Sequence, residues 1–423
     1  MLNRWNEAEA AELAADATTE ADALLARRAY SSRLIGGEPE LAMHGGGNTS
    51  VKVMRDLGRG PEPVLHVKGS GRDLARVQAA DLPGLRLAPI LDIHAQGVRF
   101  GDGEMMRFLR GHLLDPQSPD PSVETLLHAF LPARFVDHGH ASAMLALSNQ
   151  PEAEQRRLVA ALFGESVIFL PYVFPGFDLA IAGAAAAAAS PAAQAMWLAH
   201  HGLFTWGDTA DQSYGRFIEV VSVCEAHLAS AGAALPPMPV PAANDGLAAI
   251  AERLAAALTG LPAFGDGVQL DLRAGMPTAE LASDPALLSA VARGTITPDH
   301  VIRIKPFPLV LSPDATKTEI ADAIDAFGRA YCSYFDLHAP AARAPVIMLD
   351  TAPRVAIIRG LGVIGIGKSA REAGINADLA EQNLRVVRSA ERLGQYQPIP
   401  RAEQFLIEYW ELEQAKLRPA AAR

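Results

Sequence analysis

Phe135-Val136-Asp137-His138-Gly139-His140 is the stretch that organises the reading of this chain. Its apolar start, from Arg134 to Asp137, predicts a short strand, and the strand runs out into two histidines spaced i, i+2. On a strand such side chains share one face, so His138 and His140 can chelate a single ion. A second predicted strand, Met196 to Ala199, ends in His200-His201-Gly202. The glycine lets the backbone turn sharply there and leaves a histidine at the strand tip. Open α/β sheets place their sites at strand ends. Imidazoles from two strand tips, with a carboxylate near, describe a catalytic divalent-metal site with an open position, zinc being the first candidate. The bland alternative is a set of unrelated surface or capping histidines.

The carboxylate nearest in sequence is Glu124, in Asp120-Pro-Ser-Val-Glu-Thr-Leu-Leu-His128. Asp120 reads as an N-cap with Pro121 at the first helical position. Glu124 and His128, four apart, then share a helix face, and taken alone they read as an exposed pair. Two glycine-rich turns follow from the same logic. Gly45-Gly-Gly-Asn-Thr-Ser50 gathers backbone amides, a carboxamide and two hydroxyls, and Lys68-Gly-Ser-Gly71 adds a cation directly after a strand. Each can cradle an oxyanion, and each can equally be a plain turn.

Further out, helix-like and strand-like stretches alternate. Residues 6–34 read as helix, Val64–Val67, Val167–Tyr172 and Ala195–Ala199 as strands, with helices from about Ala141 and over Ala210–Ala231. This alternation predicts an α/β layer fold. Four prolines between 236 and 241 mark a linker over 236–245, separating a domain at 1–235 from a second, smaller α/β domain at 246–423. The second half should hold helices near 246–258, 286–293 and 318–337. A hairpin of Val346–Asp350 with Arg354–Ile358 and a helix from Ser369 to Leu393 should follow. His201-Gly-Leu-Phe-Thr-Trp-Gly and Arg359-Gly-Leu-Gly-Val-Ile-Gly form a weak internal echo, each ahead of a long helix. Gly360-Leu-Gly362-Val-Ile-Gly365 and Gly362 to Ser369 match dinucleotide and P-loop patterns, but the expected hairpin lacks the parallel βαβ setting both need. Close strand–helix packing is the better account.

Composition bounds the rest. With 423 residues, 49% hydrophobic and 20% charged, there is ample core for two or three domains. A net charge of −11 argues against nucleic-acid binding. No apolar run approaches the roughly 20 residues of a membrane span, and no signal-peptide core opens the chain, so a cytoplasmic protein is expected. Cys224 and Cys332 alone cannot make a disulfide framework or a thiolate-rich zinc site.

Gly45-Gly-Gly-Asn-Thr-Ser, Lys68-Gly-Ser-Gly, Pro121-Ser-Val-Glu-Thr, Asp137-His-Gly-His-Ala and His200-His-Gly-Leu-Phe-Thr-Trp-Gly-Asp-Thr occur in order. Together, over about residues 30–235, they resemble the class II aldolase/adducin family. Thr297-Pro-Asp-His-Val-Ile-Arg and Glu408-Tyr-Trp-Glu-Leu-Glu-Gln-Ala-Lys416 resemble the aldolase portion of bifunctional rhamnulose-1-phosphate aldolase/alcohol dehydrogenases, and an aldolase without the dehydrogenase domain is expected.

The resemblance implies an αβα layered domain with a central sheet and one Zn²⁺ or another divalent ion per chain. His138, His140 and His201 would be the ligands, with His200 a neighbour. It further implies Glu124 as catalytic acid/base and Asn48, Ser70, Gly71 and Ser122 as phosphate-binding positions. Val123 stands where small family aldolases carry a second serine, and Lys68 offers a cation in compensation. The implied reaction is retro-aldol cleavage of a ketose 1-phosphate, rhamnulose-1-phosphate-like, to dihydroxyacetone phosphate and an aldehyde. The implied assembly is a homo-oligomer such as the family's cyclic tetramers, with neither nucleic acid nor membrane as partner. Related epimerases, dehydratases and decarboxylases share the site, and adducin-like members keep the fold as binding proteins.

Overall fold

The computed structural model describes residues 1–44, 46–265 and 267–414. Gly45 of the first glycine-rich turn, and Ala415 and Lys416 of the C-terminal motif, lie outside them. Two compact units form, one of Met1–Ser148 and Glu152–His227, the other of Asn149–Pro151 and the chain from Leu228 onward.

The first unit is built on seven strands: β1 (Asn48–Asp56), β2 (Pro61–Val67), β3 (Gly84–Arg86), β4 (Phe135–Gly139), β5 (Val167–Leu170), β6 (Ala195–Leu198) and β7 (Gly202–Gly207). Their order is β3-β2-β1-β4-β7-β6-β5. All neighbours run antiparallel except β5 and β6, which are parallel and joined through the helix Phe177–Ala189. A parallel pair requires such a crossover. Consecutive strand residues face opposite sides, so Phe135 packs with Leu25, Val51 and Val53 while Val136 packs with Leu65, Leu126 and Phe204. Both faces of the sheet are thereby covered. The chain is an α/β protein with a central sheet in this unit and a second, smaller sheet-bearing domain.

That second unit carries β8 (Gln269–Arg273), β9 (Leu309–Leu311), β10 (Val355–Ile358) and β11 (Gly362–Gly367) in the order β8-β11-β10-β9. Ile364 and Ile366 of β11 meet Ile250 and Leu254 of the helix Asp245–Leu258, and Ile320 and Ile324 of the helix Lys317–His338. Among the described residues no helix is long and apolar enough to cross a membrane.

Several local expectations are corrected. The single helix over 6–34 is two, Glu7–Leu13 and Glu20–Gly36, because Thr19 turns its hydroxyl to the Asp22 amide and caps a new start. Val346–Asp350 is not a strand. Val355–Ile358 pairs instead with Gly362–Gly367, since Gly360 (φ 71°) permits a tight turn that brings the next residues straight back. Asp120 caps no helix. Gly69 and Pro121 form a β-bridge and the Ser70 amide donates to Asp120 O at 2.7 Å, so the helix begins only at Thr125. The proline-rich segment does not span freely between units. Arg385 donates to Pro236 O at 2.7 and 2.9 Å and Ser389 to Ala234 O at 3.2 Å, which tie it to the helix Ala370–Leu393 of the second unit.

Candidate metal and acid–base site

β1, β4 and β7 lie side by side, and this adjacency assembles the site. His138 sits on β4 opposite Asn48 of β1 and Phe204 of β7, its ring stacked on Phe204 at 4.2 Å between centroids. Its Nδ1 lies 3.0 Å from Leu203 O. A carbonyl only accepts, so Nδ1 carries the proton and Nε2 keeps its lone pair. One residue beyond the strand, the His140 amide donates to Leu41 O at 3.1 Å, and its Nε2 stands 3.0 Å from that of His138. His201 occupies the turn from β6 to β7, made possible by the left-handed backbone of His200 (φ 58°).

One ligand atom from each of His138, His140 and His201 falls within 4.8 Å of the others, and all three residues are buried. Two imidazole nitrogens sharing a tetrahedral zinc sit about 3.4 Å apart, given bond lengths of 2.0–2.1 Å. The spacing and the all-nitrogen donor set therefore fit a zinc-type ion. Gly202 makes the convergence possible: a Cβ there would stand 2.6 Å from Gly139 O and 2.7 Å from the His140 ring. His200 Nε2 faces the Gln155 amide at 3.3 Å, outside the group.

Glu124 completes the arrangement. It is 5% exposed, with Oε2 3.4 Å from His138 Nε2 and Oε1 3.6 Å from His201 Nε2. Asn48 Nδ2 donates to Glu124 Oε2 at 2.7 Å and to Ser122 Oγ at 3.0 Å. Ser122 Oγ also accepts from the Glu124 amide at 3.3 Å, fixing the carboxylate at the head of its helix.

His128, which the sequence gives only as half of an exposed helix pair, is fully buried. Its Nε2 hydrogen-bonds Asn48 Oδ1 and its Nδ1 lies 2.8 Å from Ser50 Oγ. Because a carboxamide oxygen only accepts, Nε2 is the donor and Nδ1 accepts from the serine. Burial, and then the proximity of His138, Lys52 and Arg28, hold its pKa well below the usual imidazole value. A continuous chain therefore runs Ser50–His128–Asn48–Glu124. The i, i+4 spacing of Glu124 and His128 is its one visible trace in sequence.

The remaining expected positions gather elsewhere in the same unit. Ser70 and Gly71, with Arg72, Gln117, Pro119 and Asp120, line an open cavity of about 440 Å³. Lys68 is buried and donates to Arg72 O at 2.7 Å. The Gly69–Pro121 bridge joins this loop to the segment bearing Ser122 and Glu124.

Residues 26–228 match the profile of the class II aldolase and adducin N-terminal domain, and residues 245–417 that of the class II aldolase second domain. The chain belongs to the class II aldolase family. A relative described as "Uncharacterized oxidoreductase YuxG", from Bacillus subtilis (strain 168), is 30% identical over 408 residues. That match takes in 92% of this class II aldolase chain and 57% of the relative, so the chain spans little more than half of the relative's length. Among solved structures, the N-terminal class II aldolase domain of a conserved protein from Thermoplasma acidophilum is 36% identical. It covers 54% of this chain and 99% of that one, with a TM-score of 0.47. L-fuculose-1-phosphate aldolase from Thermus thermophilus is 19% identical, covering 48% of this chain and 94% of that one, with a TM-score of 0.32.

Proposed function

We propose that this class II aldolase-family protein is a metal-dependent aldehyde-lyase. It cleaves a ketose 1-phosphate, rhamnulose-1-phosphate-like, to dihydroxyacetone phosphate and an aldehyde. The observation that supports this reading above the others is the position of Glu124, whose two carboxylate oxygens lie 3.4 and 3.6 Å from the Nε2 atoms of His138 and His201.

His138, His140 and His201 would hold the ion. When bound there, a zinc-type ion supplies Lewis acidity for the negative charge that a carbonyl oxygen gains as the neighbouring carbon–carbon bond breaks. Glu124 handles the proton. As the C3–C4 bond cleaves, the C4 hydroxyl loses one proton to become the aldehyde and C3 gains one, so the reaction is balanced in acid and base. Asn48 and Ser122 set the orientation of that carboxylate, and the 68–71 loop with its glycine amides binds the phosphate. The wider proposal places the protein in the cytoplasm as a homo-oligomer acting on a small phosphorylated sugar.

The test is metal content of the purified protein combined with a coupled assay for dihydroxyacetone phosphate over a panel of ketose 1-phosphates. About one zinc-type ion per chain with triose phosphate release supports the proposal. An ion without release on any member of the panel overturns the retro-aldol assignment and turns the search to epimerisation, dehydration or decarboxylation. Absence of an ion after reloading overturns the enzyme reading in favour of an adducin-like binding protein.

A further inference from the structure

The sheet of the second unit repeats four adjacent strands of the seven in the first, in order, direction and register. In the first unit, β5 pairs parallel to β6, β6 antiparallel to β7, and β7 antiparallel to β4. In the second, β9 pairs parallel to β10, β10 antiparallel to β11, and β11 antiparallel to β8.

The registers coincide as well. Ala195 faces Thr205 and Leu198 faces Gly202; Val355 faces Gly365 and Ile358 faces Gly362. Within this hairpin the displacement is 160 residues, from 198 to 358 and from 202 to 362. Phe135 lies opposite Gly207, and Gln269 lies opposite Gly367, which is 207 displaced by the same 160. Leu170 accompanies Leu198, and Leu311 accompanies Ile358. Each hairpin then feeds a long helix, Ala210–Ser230 and Ala370–Leu393.

Order and direction alone could recur in unrelated α/β sheets. Shared backbone constraints are harder to obtain by chance. A Cβ on Gly202 would strike Gly139 O, and one on Gly362 would strike Arg273 O; Gly139 and Arg273 are equivalent in register. A Cβ on Gly207 would stand 2.9 Å from Ser213 N, and one on Gly367 2.6 Å from Ala373 N, again 160 residues on. The echo visible in the sequence is therefore real in outline but two residues out of step: Gly202 corresponds to Gly362, not to Gly360.

We propose that the second unit is a duplicate of the metal-bearing half of the first, with the ion-binding side chains lost. By register His138 corresponds to Leu272, His140 to Ala274 and His201 to Leu361. The helix before β8 keeps an acid in its first turn, the exposed Asp245, but the residue beside Leu361 there is Gly246. Where His201 approaches Glu124 at the head of the helix before β4, Leu361 Cδ1 lies 3.3 Å from the point a Cβ on Gly246 would occupy, in the first turn of the helix before β8. Leu361 beside Gly246 thus takes the register place of His201 beside Glu124. The second unit thus has the scaffold of the site without its donors, and the chain carries one ion, on its first unit. That single ion rests on the reading of His138, His140 and His201 as ligands.

The experiment restores the donors in the full chain. Leu272 is 38% exposed and Ala274 and Leu361 are half-buried, so histidines have room there. The variant Leu272→His/Ala274→His/Leu361→His is loaded with Co²⁺ alongside the native chain. Ions per chain are then counted by mass spectrometry and the cobalt absorption spectrum is recorded. One ion in the native chain and two in the variant is the expected result. A folded variant that still holds only one ion overturns the proposal. If the native chain holds none while the variant holds one, the duplication stands and the ligand assignment in the first unit fails. Should the triple variant not fold, Leu272→His/Leu361→His in a His138→Ala background replaces it. Its two histidines chelate only if β8 and the β10–β11 turn converge as β4 and the β6–β7 turn do. Co²⁺ affinity at least about tenfold above the His138→Ala parent is then expected; an unchanged affinity overturns the proposal.

Discussion

Asn48 and Glu124, 76 residues apart, meet in a hydrogen bond of 2.7 Å, with the Asn48 amide donating to Glu124 Oε2. His128 holds the other end of that carboxamide, so Asn48 cannot rotate to present its oxygen to the acid. The site is organised around a carboxylate whose nearest neighbour has been fixed as a donor.

Asn48→Asp puts two carboxyl groups in that contact, and like charges so close cannot both ionise. Activity should fall by about 100-fold or more, the scale of losing a positioned general base. Metal content should be unchanged. Steady-state kinetics with parallel metal analysis checks both.

His128→Phe keeps the buried ring but removes the donor to Asn48. The expected result is a kcat at least about tenfold lower with KM and bound metal retained, because a positioned acid has been released rather than a binding group removed. A raised KM or a loss of metal instead would place His128 in binding.

His138→Ala should lose the ion and turnover together, whereas His200→Ala, facing Gln155, should keep the ion. Zinc measured after dialysis distinguishes the two variants, and full zinc in His138→Ala would remove that residue from the ligand set.

Arg28 and Asp137 form an ion pair with both side chains fully buried, and Ser213 donates to the same carboxylate. Asp137→Ala strands the guanidinium and should cost about 3–5 kcal/mol in chemical denaturation. The pair variant Arg28→Met/Asp137→Leu should recover most of that loss, since neither charge is then left unpaired.

His66 is neutral in the fold. Nδ1 donates to Leu82 O at 2.8 Å and Nε2 accepts from Arg55 at 2.9 Å, and burial above all pushes its pKa down to about 4. The unfolded chain, with an ordinary imidazole, binds the proton first as pH falls. Stability contributed by neutral His66 is therefore full above pH 6.5 and lost between about 6.5 and 4. Thermal unfolding across that range should show a steeper acid loss in the native chain than in His66→Gln.

The family and the histidine pair that converges on His201 are legible in the sequence, because a strand's period of two is local and places His138 and His140 on one face whatever surrounds them. The i, i+4 pair Glu124 and His128 is visible too, but nothing along the helix says that β1 covers it. β1 and β7 are harder to see, although Val51–Val53 and Leu203–Trp206 carry strand-forming residues, since each adjoins a glycine turn that reads as loop.

Sequence by itself determined which side chains could bind an ion and where the backbone had to contain glycine. The resemblance already favours His201 over His200, and the tertiary structure supplies the reason: the left-handed turn at His200 sends one ring toward Gln155 and the other toward Glu124. The tertiary structure also decided the Ser50–His128–Asn48–Glu124 chain and the 160-residue repeat. Both depend on strand pairing between distant segments, and register of that kind is set by packing across the sheet rather than by neighbours along the chain.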